Sequence, residues 1–119
     1  MKLKKLIASI LAIGCLSTGL VGMSAYAANG TLTINTSSAT LTNTSGATRY
    51  GNVNFIVINR STGSQVASAG NSGNVANYAS LTASKSGYSA VTYRFKANAT
   101  LYTSTSQYSG VLWSGTNAY

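Results

Sequence analysis

From Ser89 onward the chain alternates. Odd positions read Ser89, Val91, Tyr93, Phe95, Ala97, Ala99 and Leu101; even positions read Tyr88, Ala90, Thr92, Arg94, Lys96, Asn98, Thr100 and Tyr102. Period two is the pattern of a β-strand with one face on a core and the other in solvent. An unbroken strand of that length would run about 50 Å, far beyond the usual strand, so a bend or bulge is expected near Lys96 to Asn98.

The rest of the chain reads the same way. Thr31-Leu32-Thr33-Ile34-Asn35 and Ala39-Thr40-Leu41-Thr42 alternate polar and apolar and look like two copies of one unit, with Ser37-Ser38 as the turn between them. Two copies are too few for a solenoid, so they are expected to pair as strands. Val53 to Ile58 is apolar at nearly every position, which predicts a central strand covered on both sides. Asn43 to Gly46, Asn59 to Gly63 and Gly70 to Asn74 carry turn residues. Ser64 to Ala69 predicts a weak return strand, Val75 to Ala83 is read as strand over short helix, and Gly110 to Trp113 predicts a last short strand.

The N-terminus is a different object. Lys2, Lys4 and Lys5 precede an apolar stretch from Leu6 to Met23, and Ala25-Tyr26-Ala27 is a small-x-small cleavage site. These are the parts of a secretory signal peptide, with cleavage expected after Ala27. Ala12-Ile13-Gly14-Cys15 is a poor lipobox, with Ala where Leu is usual, and the apolar run continues past it. Residues 1–27 are therefore expected to be removed, Cys15 with them. Residues 28–119 would form a single secreted, extracellular domain with no stable membrane span.

Composition then bears on stability and chemistry. Residues 28–119 hold 15 Ser, 14 Thr, 11 Asn and 9 Gly, and only 16 Leu, Ile, Val and Phe. So little apolar content can mark disorder, but disordered chains are also poor in β-branched and aromatic residues. This one is rich in Thr, Val, Ile and Tyr, a strand composition. The expected fold is all-β: a small antiparallel β-sandwich or barrel-like domain of about 6–8 strands, without a disulfide.

The whole chain has no Asp, Glu, His or Pro, and its formal net charge is +8. General acid–base catalysis, nucleophilic triads and metal sites draw on the missing residue types. Lys85-Ser86-Gly87 has no Ser-x-x-Lys to work with and reads as a turn. No glycine-rich phosphate loop is present. The expectation is a non-enzymatic protein without cofactor or metal and without a nucleic-acid partner.

Charge supplies the functional reading. With no acidic side chain in the chain, Arg94 and Lys96 have none with which to pair, so they face water or an external anion. Together with Tyr88 and Tyr102, which share the even face, they form the candidate binding surface: cations and aromatic rings on one side of a strand suit polyanions and sugars. The expected function is binding of anionic cell-envelope polymer or glycan.

Two other classes compete. In its size, leader and charge the chain resembles small exported bacterial proteins, cationic bacteriocins among them, though no diagnostic residue carries that likeness. A bacteriocin-like antimicrobial would use the same charge to reach target cells. A self-assembling extracellular matrix protein is the other, because Asn54 to Asn59 is uncharged and strongly β-prone and self-association would need no external partner. The Thr-x-Thr pairs at 31/33, 40/42, 42/44 and 103/105 resemble the ladders of ice-binding proteins, but their irregular spacing reads as cross-strand pairing.

Overall fold

The computed structural model describes residues 25–26 and 29–119. The expected leader and its cleavage site lie almost wholly outside the described residues. Seven strands of five or more residues and one two-residue bridge make up the regular structure, with no helix among the described residues. They are β1 (Ala25–Tyr26), β2 (Gly30–Ile34), β3 (Ser38–Asn43), β4 (Arg49–Asn59), β5 (Gln65–Val75), β6 (Ser80–Ser84), β7 (Tyr93–Tyr102) and β8 (Val111–Ala118). Two four-stranded antiparallel sheets result, in the orders β1-β2-β3-β6 and β5-β4-β7-β8.

Both sheets contribute to one core. Leu32, Ile34, Ala39, Leu41 and Ala83 come from the first sheet, and Val53, Phe55, Val57, Phe95, Ala97, Ala99, Leu101 and Trp113 from the second. Phe55 and Phe95 stack at its centre, ring centroids 5.7 Å apart and planes 8° apart. Each core strand sends alternate side chains inward, so even a chain this polar closes a continuous apolar layer.

Several expectations are met. The two Thr-Leu-Thr copies pair as β2 and β3, with Leu32 opposite Leu41 and Thr33 opposite Thr40. Asn35 closes their turn, its Oδ1 accepting from the amides of Ser37 (2.8 Å) and Ser38 (2.9 Å). Asn59 does the same between β4 and β5, accepting from Ser61 and Thr62, with Gly63 at φ +74° completing the turn. β4 is central, paired to β5 on one side and β7 on the other. Gly51, Val53, Phe55 and Val57 are buried on one face, but on the other Asn52, Asn54 and Ile56 are half-exposed and only Ile58 is buried, so the expected cover on both sides is corrected to one.

Others are corrected. The alternating run is one strand only from Tyr93. Residues 89–92 form a turn in which the Ser89 carbonyl accepts from Thr92 N (3.2 Å) and Tyr93 N (2.9 Å). Val91 stands 87% exposed, not in the core. The strand passes straight through Lys96 to Asn98, and its irregularity falls at Leu101/Tyr102. Gly70 to Asn74 is strand, not loop: it continues β5 along the whole of β4. A β-carbon at Gly70 would lie 2.9 Å from Asn54 Oδ1, so a side chain there would displace the end of the Asn54 amide. A turn at residues 76–79, with Tyr78 at φ +66°, separates β5 from β6, and β8 extends through the polar tail.

Candidate functional site

The face of the second sheet turned away from the core is built by register. On β7 its residues are Arg94, Lys96, Asn98, Thr100 and Tyr102; opposite them on β4 stand Ile58, Ile56, Asn54, Asn52 and Tyr50. Ser68, Gly70 and Ser72 of β5 and Ser114, Thr116 and Ala118 of β8 flank these rows. At the two ends Gln65 stands beside Ile58, Asn74 beside Tyr50 and the exposed Val111 beside Tyr102.

Arg94 and Lys96 are both exposed, two residues apart on this face. Among the described residues neither side chain has a hydrogen-bond or ion-pair partner. Ile58, opposite Arg94, is nevertheless only 6% exposed and lies outside the core cluster. Long cationic side chains cover apolar surface with their stems while keeping the charge in water.

Farther along, Asn54 Nδ2 donates to Asn98 Oδ1 (3.2 Å) and to Asn52 Oδ1 (3.3 Å). The exposed Asn98 keeps its own amide donors toward solvent. At the far end Tyr102 and Tyr50 sit with ring centroids 5.8 Å apart and planes inclined at 56°.

Three of the four expected site residues, Arg94, Lys96 and Tyr102, therefore share the face. Tyr88 does not. It precedes β7 in the turn and packs edge-on against Tyr93 (5.0 Å, 88°), on the core side. The alternation placed it on the even face, but the turn at 89–92 breaks the parity between residue 88 and residue 94. Tyr50 takes the vacant aromatic role, a residue the sequence reading did not single out. Extending the β4 alternation back from Val53 through Gly51 marks it.

The other cations of residues 29–119 divide by environment. Arg49 Nε donates to Ser45 Oγ (2.8 Å) and its Nη1 to the Thr103 carbonyl, tying the β3–β4 loop to the β7–β8 loop. Arg60 Nε donates to the carbonyls of Ala90 (2.9 Å) and Tyr93 (3.1 Å). Both act as structural ties. Lys85 is exposed in the loop after β6.

The outer face of the first sheet is a separate, uncharged surface. Thr33, Thr40 and Thr82 form one row across β2, β3 and β6, and Thr31, Thr42 and Ser80 the next. Hydroxyls bond across both rows, Thr40 to Thr82 at 3.1 Å and Thr42 to Ser80 at 2.8 Å. Thr44, Thr103 and Thr105 fall in loops, so the Thr-x-Thr series is not one ladder. Cross-strand pairing accounts for it.

The described residues contain no His, Cys, Asp or Glu, so either face offers a metal ion only neutral oxygens. No protein-family model, curated protein or solved structure matches the chain.

Proposed function

We propose that the protein is a secreted, cationic, non-enzymatic β-sandwich that binds anionic or glycan cell-envelope surfaces through the outer face of its second sheet. One observation carries this reading. Arg94 and Lys96 stand side by side, exposed and without a partner among the described residues, in a chain with no acidic side chain. Arg49 and Arg60 are held by their own fold. An external anion is the natural partner for the other pair.

Binding to whole bacterial cells or to purified anionic wall polymer tests it. Attraction between exposed charges weakens as the Debye length shrinks from about 8 Å at physiological salt to about 3 Å at 1 M. Binding should fall steeply over that range, and Arg94→Gln with Lys96→Gln should weaken it at low salt in a folded protein. Unchanged affinity and salt dependence in that double variant would remove the proposed site.

A second reading, self-assembly, has support in β5. This edge strand runs 11 residues with no charge and no proline, the features that normally block edge-to-edge pairing. Fibres that pellet and bind thioflavin T without any added target would favour it. The zipper-like segment Asn54 to Asn59 is itself paired on both sides within β4.

A further inference from the structure

We infer that the ligand of this face is an extended acidic polysaccharide of sparse charge, lying lengthwise along β7 with its sugar rings against Tyr102 and Tyr50. The inference rests on the envelope-binding reading above and narrows its ligand. Charge spacing is the first argument. Both partnerless cations of the face lie at one end, at positions 94 and 96, and the track from residue 98 to residue 102 carries none. A nucleic acid or a poly(glycerol phosphate) places a negative charge at every repeat, so most of its charges would lie against neutral groups. A polysaccharide whose carboxylates alternate with neutral sugar rings sets fewer unmatched charges against that track.

The neutral stretch is the second argument. Asn54 spends both Nδ2 donors on Asn98 Oδ1 and Asn52 Oδ1, which leaves the donors of the exposed Asn98 amide to complement sugar hydroxyls, each both donor and acceptor. Tyr102 and Tyr50 then offer inclined aromatic surface, half-exposed, for the apolar face of a sugar ring. From residue 94 to residue 102 the strand spans about 27 Å, on the order of five sugar rings end to end. The face is flat and open, so affinity must build along the chain, not in a pocket.

Hyaluronan fragments of two to ten sugars, with a carboxylate on every second ring, are the test probes, beside densely charged heparin and neutral dextran. Isothermal titration of the purified protein should show hyaluronan affinity rising with length and levelling off near six sugars. Tyr102→Leu and Tyr50→Leu should each weaken it about tenfold even at high salt, with Tyr→Phe at either position retaining most of it. Both leucine variants keep apolar volume, and thermal melting verifies that they are folded. Heparin bound better than hyaluronan at all lengths, with binding erased by salt and indifferent to both tyrosines, overturns this inference and leaves the charge reading standing. Binding of all three probes that is indifferent to Arg94→Gln with Lys96→Gln overturns both. Dextran bound as well as hyaluronan overturns the acidic assignment.

Discussion

Trp113 closes over Gly115 so tightly that a β-carbon at position 115 would stand 2.7 Å from Cζ2 and 2.8 Å from Cη2 of the indole. The ring cannot simply swing away. Its other side meets Gly30 of β2, where a β-carbon would lie 3.0 Å from Cδ2 and Cε3. Trp113 thus joins the edge of the second sheet to the first between two glycines where an added β-carbon would force the indole to shift.

Gly115→Ala should therefore cost about 1–3 kcal/mol, the range for forcing an extra methyl into a packed site. Thermal denaturation would show this as a fall of several degrees. A variant melting with the parent would mean that the indole has room the geometry does not show.

Phe95 is 1% exposed and stacks on Phe55, whereas Thr92 is exposed in the turn before β7. Phe95→Ala should cost about 3–5 kcal/mol, a large share of the stability of a small domain. Thr92→Ala should cost under about 1 kcal/mol. Denaturant midpoints compare the two, and equal sensitivity would contradict the burial of Phe95 in the core and the exposure of Thr92 in the turn.

Asn43 is fully buried, the sole polar residue so placed among the described ones. Its Nδ2 donates to the carbonyls of Ala47 and Val75, both at 2.8 Å, and its Oδ1 accepts from Ser45 N. Asn43→Ala would take this partner from the Val75 carbonyl and the Ser45 amide, while the Ala47 carbonyl keeps Ser45 Oγ (3.2 Å), at a cost of about 1–3 kcal/mol by the scale of unsatisfied polar groups. Hydrogen exchange of the Ser45 amide should rise sharply, and protection equal to the parent's would contradict this role.

The fold was legible wherever alternation was local. Leu32, Ile34 and Leu41 mark inward faces within a few residues, and Asn35 and Asn59 mark turns that their own side chains close. It was not legible where distant contacts decide. Ser89 to Thr92 alternates as well as any strand, yet Arg60, about thirty residues away, holds the Ala90 and Tyr93 carbonyls in a turn. That turn shifts Tyr88 to the core side while leaving Arg94 and Lys96 where parity puts them. Gly70 reads as a loop residue because composition cannot show that Asn54 occupies the space above it. Alternation in β4 puts Tyr50 on the outer face, but only the pairing of β4 with β7 brings it to Tyr102, 52 positions away.

Stability should barely respond to pH between about 5 and 8. A pH slope requires groups that bind different numbers of protons folded and unfolded, and the side chains that ordinarily titrate there or just below are Asp, Glu and His, all absent. Only a small contribution from the α-amino group is expected. A melting temperature that drops by many degrees across this window would point to a bound partner that itself titrates.

The cations should separate into two classes by stability. Arg49→Gln and Arg60→Gln each break a charge-assisted bond to a backbone carbonyl that ties two segments together, and each should lower stability by about 1 kcal/mol after allowance for exposure. Arg94→Gln with Lys96→Gln breaks no bond among the described residues and removes two like charges from one face. That change should raise the melting temperature slightly at low salt, because self-repulsion is relieved. The gain should vanish near 1 M salt, where the Debye length of about 3 Å already screens the pair. Melting curves of the three variants at both ionic strengths decide the matter. If the 94/96 variant melts well below the parent, those cations are part of the fold, and their claim on an external anion fails with it.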